Sequence, residues 1–178
     1  MSAVCEGRPA SLSGRSEREI AVYDLLDRLG ISYTHVDHAA AATMEDCLAV
    51  EKLLGVAVCK NLFLTNRQHT AYYLLLMPGD KPFRTKDLSA QIGSARLSFA
   101  SPEEMERLLG TQPGSASVLG LMNDKEREVT LLIDKDILEA EAVGVHPLVN
   151  TSSLRLCVRD LLATFLPAVG HTYGKVVL

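Results

Sequence analysis

The sequence predicts an α+β fold, with a mixed, mostly antiparallel sheet and flanking helices. Three observations carry this. Segments with apolar residues at helical spacing alternate irregularly with strand-like apolar runs, so no regular strand–helix–strand rhythm appears. Two strongly apolar stretches, Val56 to Thr65 and Thr70 to Met77, are separated only by the polar, turn-like Asn66 to His69, which reads as an antiparallel pair. The 178 residues, 47% of them hydrophobic, are enough for one unstapled core.

Residues 1–15 are small, polar and punctuated by Gly and Pro, and are expected to form a flexible leader before one domain over 16–178. Ser16 and Glu19 make a capping box, and Val22, Leu25, Leu26 and Leu29 follow at helical spacing before Gly30, so a helix is predicted over 17–29. Ile31 to Val36 reads as a strand with Tyr33 and His35 on one face. Thr43 and Asp46 can open a second helix, striped by Cys47, Val50, Leu53 and Leu54 and stopped by Gly55. The two apolar strands come next, and their near-continuous apolar character predicts a central position. Pro78-Gly79-Asp80 is a turn, Thr85 to Ile92 a short helix closed by Gly93, and Leu97 to Ala100 a short strand. Ser101-Pro102-Glu103-Glu104 puts Ser at the N-cap, Pro at N1 and Glu at N3 of a helix ending at Gly110. A loop over 111–117, a strand over 128–133, a helix over 134–141 and a constrained Gly144–Pro147 loop follow. A strand over 154–158, a helix over 160–166 and a terminal strand over 173–177 complete the chain.

The formal charge of −4 argues against a DNA-wrapping protein. No run of roughly eighteen uncharged apolar residues exists, so no membrane span is expected, and the first residues lack the apolar core of a secretory signal. Cys5, Cys47, Cys59 and Cys157 form no Cys-x-x-Cys and no metal-finger cluster with histidine; free thiols imply a reducing, cytoplasmic setting. Dinucleotide, P-loop, HExxH and GxSxG fingerprints are all missing, and His35, Asp37 and His38 split between two strand faces, so neither cofactor nor metal is expected. His69 and His171, in a turn and a polar tail, are expected to face solvent.

Lys60 is a charged break in an apolar strand. Such a lysine either points out of an edge strand or offers a point charge inside a pocket. Asn61 leaves the opposite face of a regular strand. His146 is fixed between Gly144 and Pro147, and is either a turn histidine or an orienting or proton-transferring group. The loop Pro113 to Val118 exposes backbone N–H groups around Gly114 and Ser115 that can cradle a carbonyl oxygen or anion. Lys81, Arg84, Lys86 and Arg96 form either a solvated face or a landing patch for a phosphate-bearing substrate. Cys59, among core-like neighbours, is not expected to be a nucleophile.

Taken in order, KNLFL at 60–64, YYLLLMPGD at 72–80, RLSFASPEEMERLLG at 96–110, PGSASVLGLMND at 113–124 and GVHPLVNTSS at 144–153 resemble the YbaK/EbsC family of aminoacyl-tRNA deacylases. The resemblance covers about residues 16–178 and is strongest to the free-standing PrdX or ProXp-ala type, relatives of the editing domain of bacterial prolyl-tRNA synthetase. It implies an editing-domain fold and hydrolysis, in trans, of the aminoacyl ester of mischarged tRNA. Alanine on tRNA(Pro) is the expected substrate, with cysteine or another small amino acid as the alternative. A non-catalytic tRNA or synthetase binding module is the rival reading. The implied partners are the CCA-aminoacyl end and acceptor stem of the tRNA, and prolyl-tRNA synthetase.

By the same resemblance Lys60, Gly114 and His146 are the catalytic set, with Asn61, Ser115, Val118, Lys81 and Arg84 as substrate-binding candidates. Lys60 would anchor the terminal adenosine, the backbone at Gly114 would hold the aminoacyl carbonyl, and His146 would shape the pocket or orient groups at the ester. Water would attack, assisted by the terminal ribose hydroxyl. Such an ester needs positioning and oxyanion stabilisation more than a nucleophilic triad. Val118 stands where the family pattern has proline.

Overall fold

A computed structural model describes residues 4–40 and 44–178. The strands divide into two sheets. The first, all antiparallel, has the order β1 (Val4–Glu6), β2 (Tyr33–Asp37), β8 (Ser152–Cys157), β7 (Ala142–Val145). The second has the order β5 (Leu97–Phe99), β3 (Lys60–Asn66), β4 (Tyr72–Met77), β6 (Val129–Asp134), β9 (Tyr173–Val176). Its β5–β3–β4 part is antiparallel, whereas β4–β6 and β6–β9 are parallel. Backbone hydrogen bonds link the two sheets: Cys59 N–H donates to the Gly144 carbonyl at 2.9 Å and Gly144 N–H to the Ala57 carbonyl at 3.0 Å, so the lead-in to β3 runs alongside β7.

Helix α1 (Glu17–Arg28) starts where Ser16 accepts the Glu19 N–H, and buries Val22, Tyr23, Leu25 and Leu26. Helix α4 (Pro102–Leu109) has the full predicted capping box and ends at Gly110 in the left-handed region. These faces close on Phe63, Leu74 and Leu131 of one sheet and Tyr33, Leu154 and Leu156 of the other to form the main core. Helix α3 (Thr85–Ile92) covers the outer face of the five-stranded sheet, where Leu64, Leu75, Leu88 and Leu132 pack. Helix α2 (Met44–Leu54) lies on β2 and β8 through Val36, Val50 and Leu54. With apolar residues packed on both faces, β4 reads as an unbroken apolar run rather than an alternating one.

Several expectations need correction. Residues 4–15, expected to belong to a flexible leader, are tied to the domain. β1 pairs with β2, Arg8 reaches Asp24 at 2.7 Å, and Arg15 bridges Glu19 and Asp37 at 2.6 Å each. The Gly144–Pro147 segment is a loop only from His146, because Ala142–Val145 pairs with β8 as β7. The loop over 111–117 runs into a 3₁₀ turn at Val118–Met122. Predicted as a helix over 134–141, the segment after β6 is a single turn, α5 (Lys135–Leu138). The last helix is longer than predicted: α6 (Val158–Asp160), a π-helical stretch (Leu161–Phe165) and α7 (Leu166–Ala168) run on without a break. His171 is buried, not solvent-facing, with Nε2 3.4 Å from the Asp124 carboxylate. His69 is exposed in its turn as expected, and its Nδ1 meets Glu104 at 2.6 Å. Thr43 lies outside the described residues, and the Asp46 side chain is likewise not described.

Candidate functional site

A cavity of about 220 Å³ opens where β2, β8, α2 and the lead-in to β3 converge. Val50 and Cys47 of α2 and Val58 form its apolar wall. Its polar lining comes from His38, Gly114, His146, Asn150 and Ser153. Two glycines hold Val58 in place. An added Cβ at Gly79 would overlap the Val58 carbonyl, and one at Gly144 would come within 3.1 Å of the Val58 Cα. The turn after β4 and the strand β7 therefore pack directly against this wall.

His146 follows β7, and its loop is fixed by the buried Pro147 and by Leu148, a buried residue held at φ 63°. Its Nδ1 lies 3.0 Å from the Ser152 carbonyl, which can only accept, so Nδ1 carries the proton and Nε2 the lone pair. Burial holds this imidazole below its ordinary value; the Ser152 bond opposes the shift and the nearby His38 ring adds to it. The ring is therefore a neutral acceptor near pH 7. Gly114 sits at the exposed tip of its loop at φ 88°, a conformation that favours glycine. Ser115 does not face the cavity: its buried hydroxyl closes the loop against Thr111 at 2.7 Å and the Gln112 carbonyl at 3.0 Å.

Lys60 is half-buried at the start of β3, on the stretch that β5 does not reach. Its ammonium donates to the Lys81 carbonyl at 2.8 Å and, among the described residues, meets no carboxylate. It does not line the cavity. It stands two residues beyond Val58 on extended chain, and so on the same side. Asn61 turns the other way, where its side-chain oxygen accepts the Val118 N–H at 2.8 Å. Val118 itself is wholly buried in the core. A proline there would have no N–H to give, so the departure from the family pattern is coupled to Asn61.

The expected cationic patch is largely committed elsewhere. Lys81 binds the fully buried Asp134 at 2.9 Å and Asp136 at 2.8 Å, and Arg84 pairs with Asp87 at 2.8 Å on the surface. Neither lines the cavity. The structure thus brings together Gly114 and His146, sets Lys60 beside their wall, and gives Asn61, Ser115, Val118 and Lys81 supporting positions. Sequence reading missed His38 and Ser153. They come together because β2 pairs with β8, and Ser153 lies opposite Val36. The one local signal was a pair of serines opening a strand that continues Leu-Arg-Leu-Cys.

Burial pushes the Cys59 thiol up to about 12, a value that leaves almost no thiolate. Cys59→Ala is expected to keep most of any deacylase activity in a single-turnover assay. Abolished activity with an intact fold would reinstate the thiol.

Residues 38–164 match the family model of the aminoacyl-tRNA editing domain. The chain belongs to this editing-domain family. All residues lining the cavity fall within the matched span. Among its relatives, prolyl-tRNA editing protein ProX of Acetoanaerobium sticklandii is 32% identical over 158 residues, covering 89% of this chain and 96% of that protein. Prolyl-tRNA synthetase associated domain-containing protein 1 of Mus musculus is 31% identical over 160 residues, covering 88% and 94%. The crystal structure of hypothetical protein APE2540 shares the fold at a TM-score of 0.64, 18% identity, and 89% and 98% coverage. A crystal structure described provisionally as a trans-editing enzyme for prolyl tRNA synthetase shares it at 0.66, 18% identity, and 92% and 98% coverage. This is the YbaK/ProXp-ala-like, mostly antiparallel editing fold, and the family's general activity is trans-editing hydrolysis of mischarged tRNA.

Proposed function

We propose that this chain removes alanine from mischarged tRNA(Pro), with cysteine as the secondary substrate, in the cytoplasm and alongside prolyl-tRNA synthetase. The size of the cavity carries the reading. At about 220 Å³ it falls below the ~300–1,000 Å³ of pockets that enclose a whole drug-sized ligand. That volume suits an aminoacyl group better than a nucleotide, with the adenosine lying outside. The names of the prolyl-tRNA-linked relatives support tRNA(Pro), and the free thiols of Cys47, Cys59 and Cys157 support a reducing compartment.

In this reading the aminoacyl side chain enters against Val50, Val58 and Cys47. The Gly114 backbone holds the ester carbonyl. Lys60, whose charge is offset by no carboxylate among the described residues, meets the phosphate or ribose of the terminal adenosine. The His146 lone pair accepts a proton from the attacking water or orients the terminal hydroxyl. The deciding experiment is a panel of Ala-, Cys-, Ser- and Pro-tRNA under single-turnover conditions. Fast release of alanine, slower release of cysteine and intact Pro-tRNA are expected. Clear tRNA binding with no hydrolysis above background would make the chain a binding module instead.

The wall also sets selectivity. Val58→Ala should enlarge the cavity and narrow the preference for alanine over larger residues by about tenfold, the low end of what a small apolar group contributes. An unchanged substrate order would remove Val58 from the filter.

A further inference from the structure

Two polar side chains of the cavity, His38 and Ser153, have no part in the site so far. The hydrogen bonds around them all run one way. The Ala39 carbonyl lies 2.8 Å from His38 Nδ1, so that nitrogen carries the proton and Nε2 accepts. Ser153 Oγ lies 2.8 Å from Nε2, so its hydroxyl donates there. The Ser153 oxygen is then left to accept. The donor facing it is His146 Nδ1–H, 3.4 Å away and shared with the Ser152 carbonyl at 3.0 Å. Ser153 is itself fully buried on β8, which suits it to hold a neighbour rather than to attack an ester.

We propose that His38 and Ser153 are positioning residues for His146, keeping its ring in the Nδ1–H tautomer with the Nε2 lone pair presented to the aminoacyl ester and its water. The inference rests on the deacylase reading above. Were the Ser153 hydroxyl to point at His146, it would oppose the Ser152 carbonyl and favour the tautomer in which Nδ1 accepts and Nε2 offers the cavity a donor where an acceptor is needed. His38 prevents this by taking the Ser153 proton. The His38 ring lies close enough for this, its centroid 6.3 Å from that of His146. Glu51 accepts the Val58 N–H at 2.9 Å and Lys60 donates to the Lys81 carbonyl, and neither hydrogen-bonds to either ring.

The test uses Ser153→Ala, Ser153→Thr and His38→Gln in the full chain, with melting temperatures to identify any variant that fails to fold. For Ser153→Ala and His38→Gln, kcat on Ala-tRNA is expected to fall about tenfold, part of the ~10²–10⁴ that a positioned acid–base group contributes, with KM little changed. Ser153→Thr, which keeps the hydroxyl, should restore it. Imidazole nitrogen spectra should show protonated Nδ1 and bare Nε2 at His146 in the wild type, and a growing second tautomer in Ser153→Ala. Wild-type kcat and an unchanged His146 spectrum in both Ser153→Ala and His38→Gln would overturn the proposal. The spectrum needs no substrate, so a chain that hydrolyses no aminoacyl-tRNA sinks the deacylase reading while the tautomer is still decided.

Discussion

Lys60→Ala is expected to lower single-turnover deacylation by about 10²–10³-fold, the loss typical when one preorganised electrostatic donor is removed from an active site. Stability should change little. The one hydrogen bond the ammonium makes among the described residues, to the Lys81 carbonyl at 2.8 Å, has a net worth of about 1 kcal/mol. This contrast separates a functional lysine from a structural one. Among the described residues, Lys81 is tied to two carboxylates, whereas Lys60 meets none. Lys60→Arg is expected to recover only part of the rate, since a broad planar fork replaces a compact point charge. A wild-type rate in Lys60→Ala would remove Lys60 from the site.

Much of the fold was legible because its signals are local. The capping box at Ser101, the Ser16 cap and the left-handed stops at Gly93 and Gly110 each announce a helix end within a few residues. The antiparallel β3–β4 pair was legible from two apolar runs and a short polar turn. What escaped depends on partners far along the chain. β1 is a strand only because Val4 lies opposite Val36, and β7 only because Val145 lies opposite Leu154. Short segments such as Val-Cys-Glu and Ala-Val-Gly-Val carry too little pattern to be read alone. His171 was misread for the same reason. The polar tail around it leads into β9, which joins β6 in parallel and folds the imidazole under against Asp124.

The site divides along the same line. Gly114 and His146 stand in motifs whose order is specific, and the structure puts both on one cavity. His38 belongs to none of these motifs and Ser153 only closes one of them, and it is the pairing of β2 with β8 that brings the two together. Asn61 and Val118 were legible as a lysine's neighbour and as a missing proline. That one bonds the other is a tertiary fact, and it shows how a chain can lose the family proline and gain an anchor for the 3₁₀ turn.

Asp134→Ala is expected to be the most destabilising single change in the set, at about 3 kcal/mol, the low end for removing one partner of a buried ion pair. Asp134 is fully buried and its carboxylate serves three elements at once. It takes the Lys81 ammonium at 2.9 and 3.0 Å, the Asp136 N–H at 2.9 Å as the cap of α5, and the Leu178 N–H at 3.0 Å at the chain end. The low end applies because Lys81 keeps Asp136 as a second partner. Against a typical total of about 5–15 kcal/mol this is a large fraction, readable as a shift of the urea midpoint. Asp136→Ala, at the exposed end of the network, should cost under about 1 kcal/mol. Activity should follow Asp134 as well, because the residue whose carbonyl holds Lys60 is itself held by Asp134. Below its own unfolding transition, Asp134→Ala should therefore hydrolyse Ala-tRNA more slowly than Asp136→Ala. Equal urea midpoints for the two variants would show that the buried carboxylate does not anchor the network, and equal rates would break its link to Lys60.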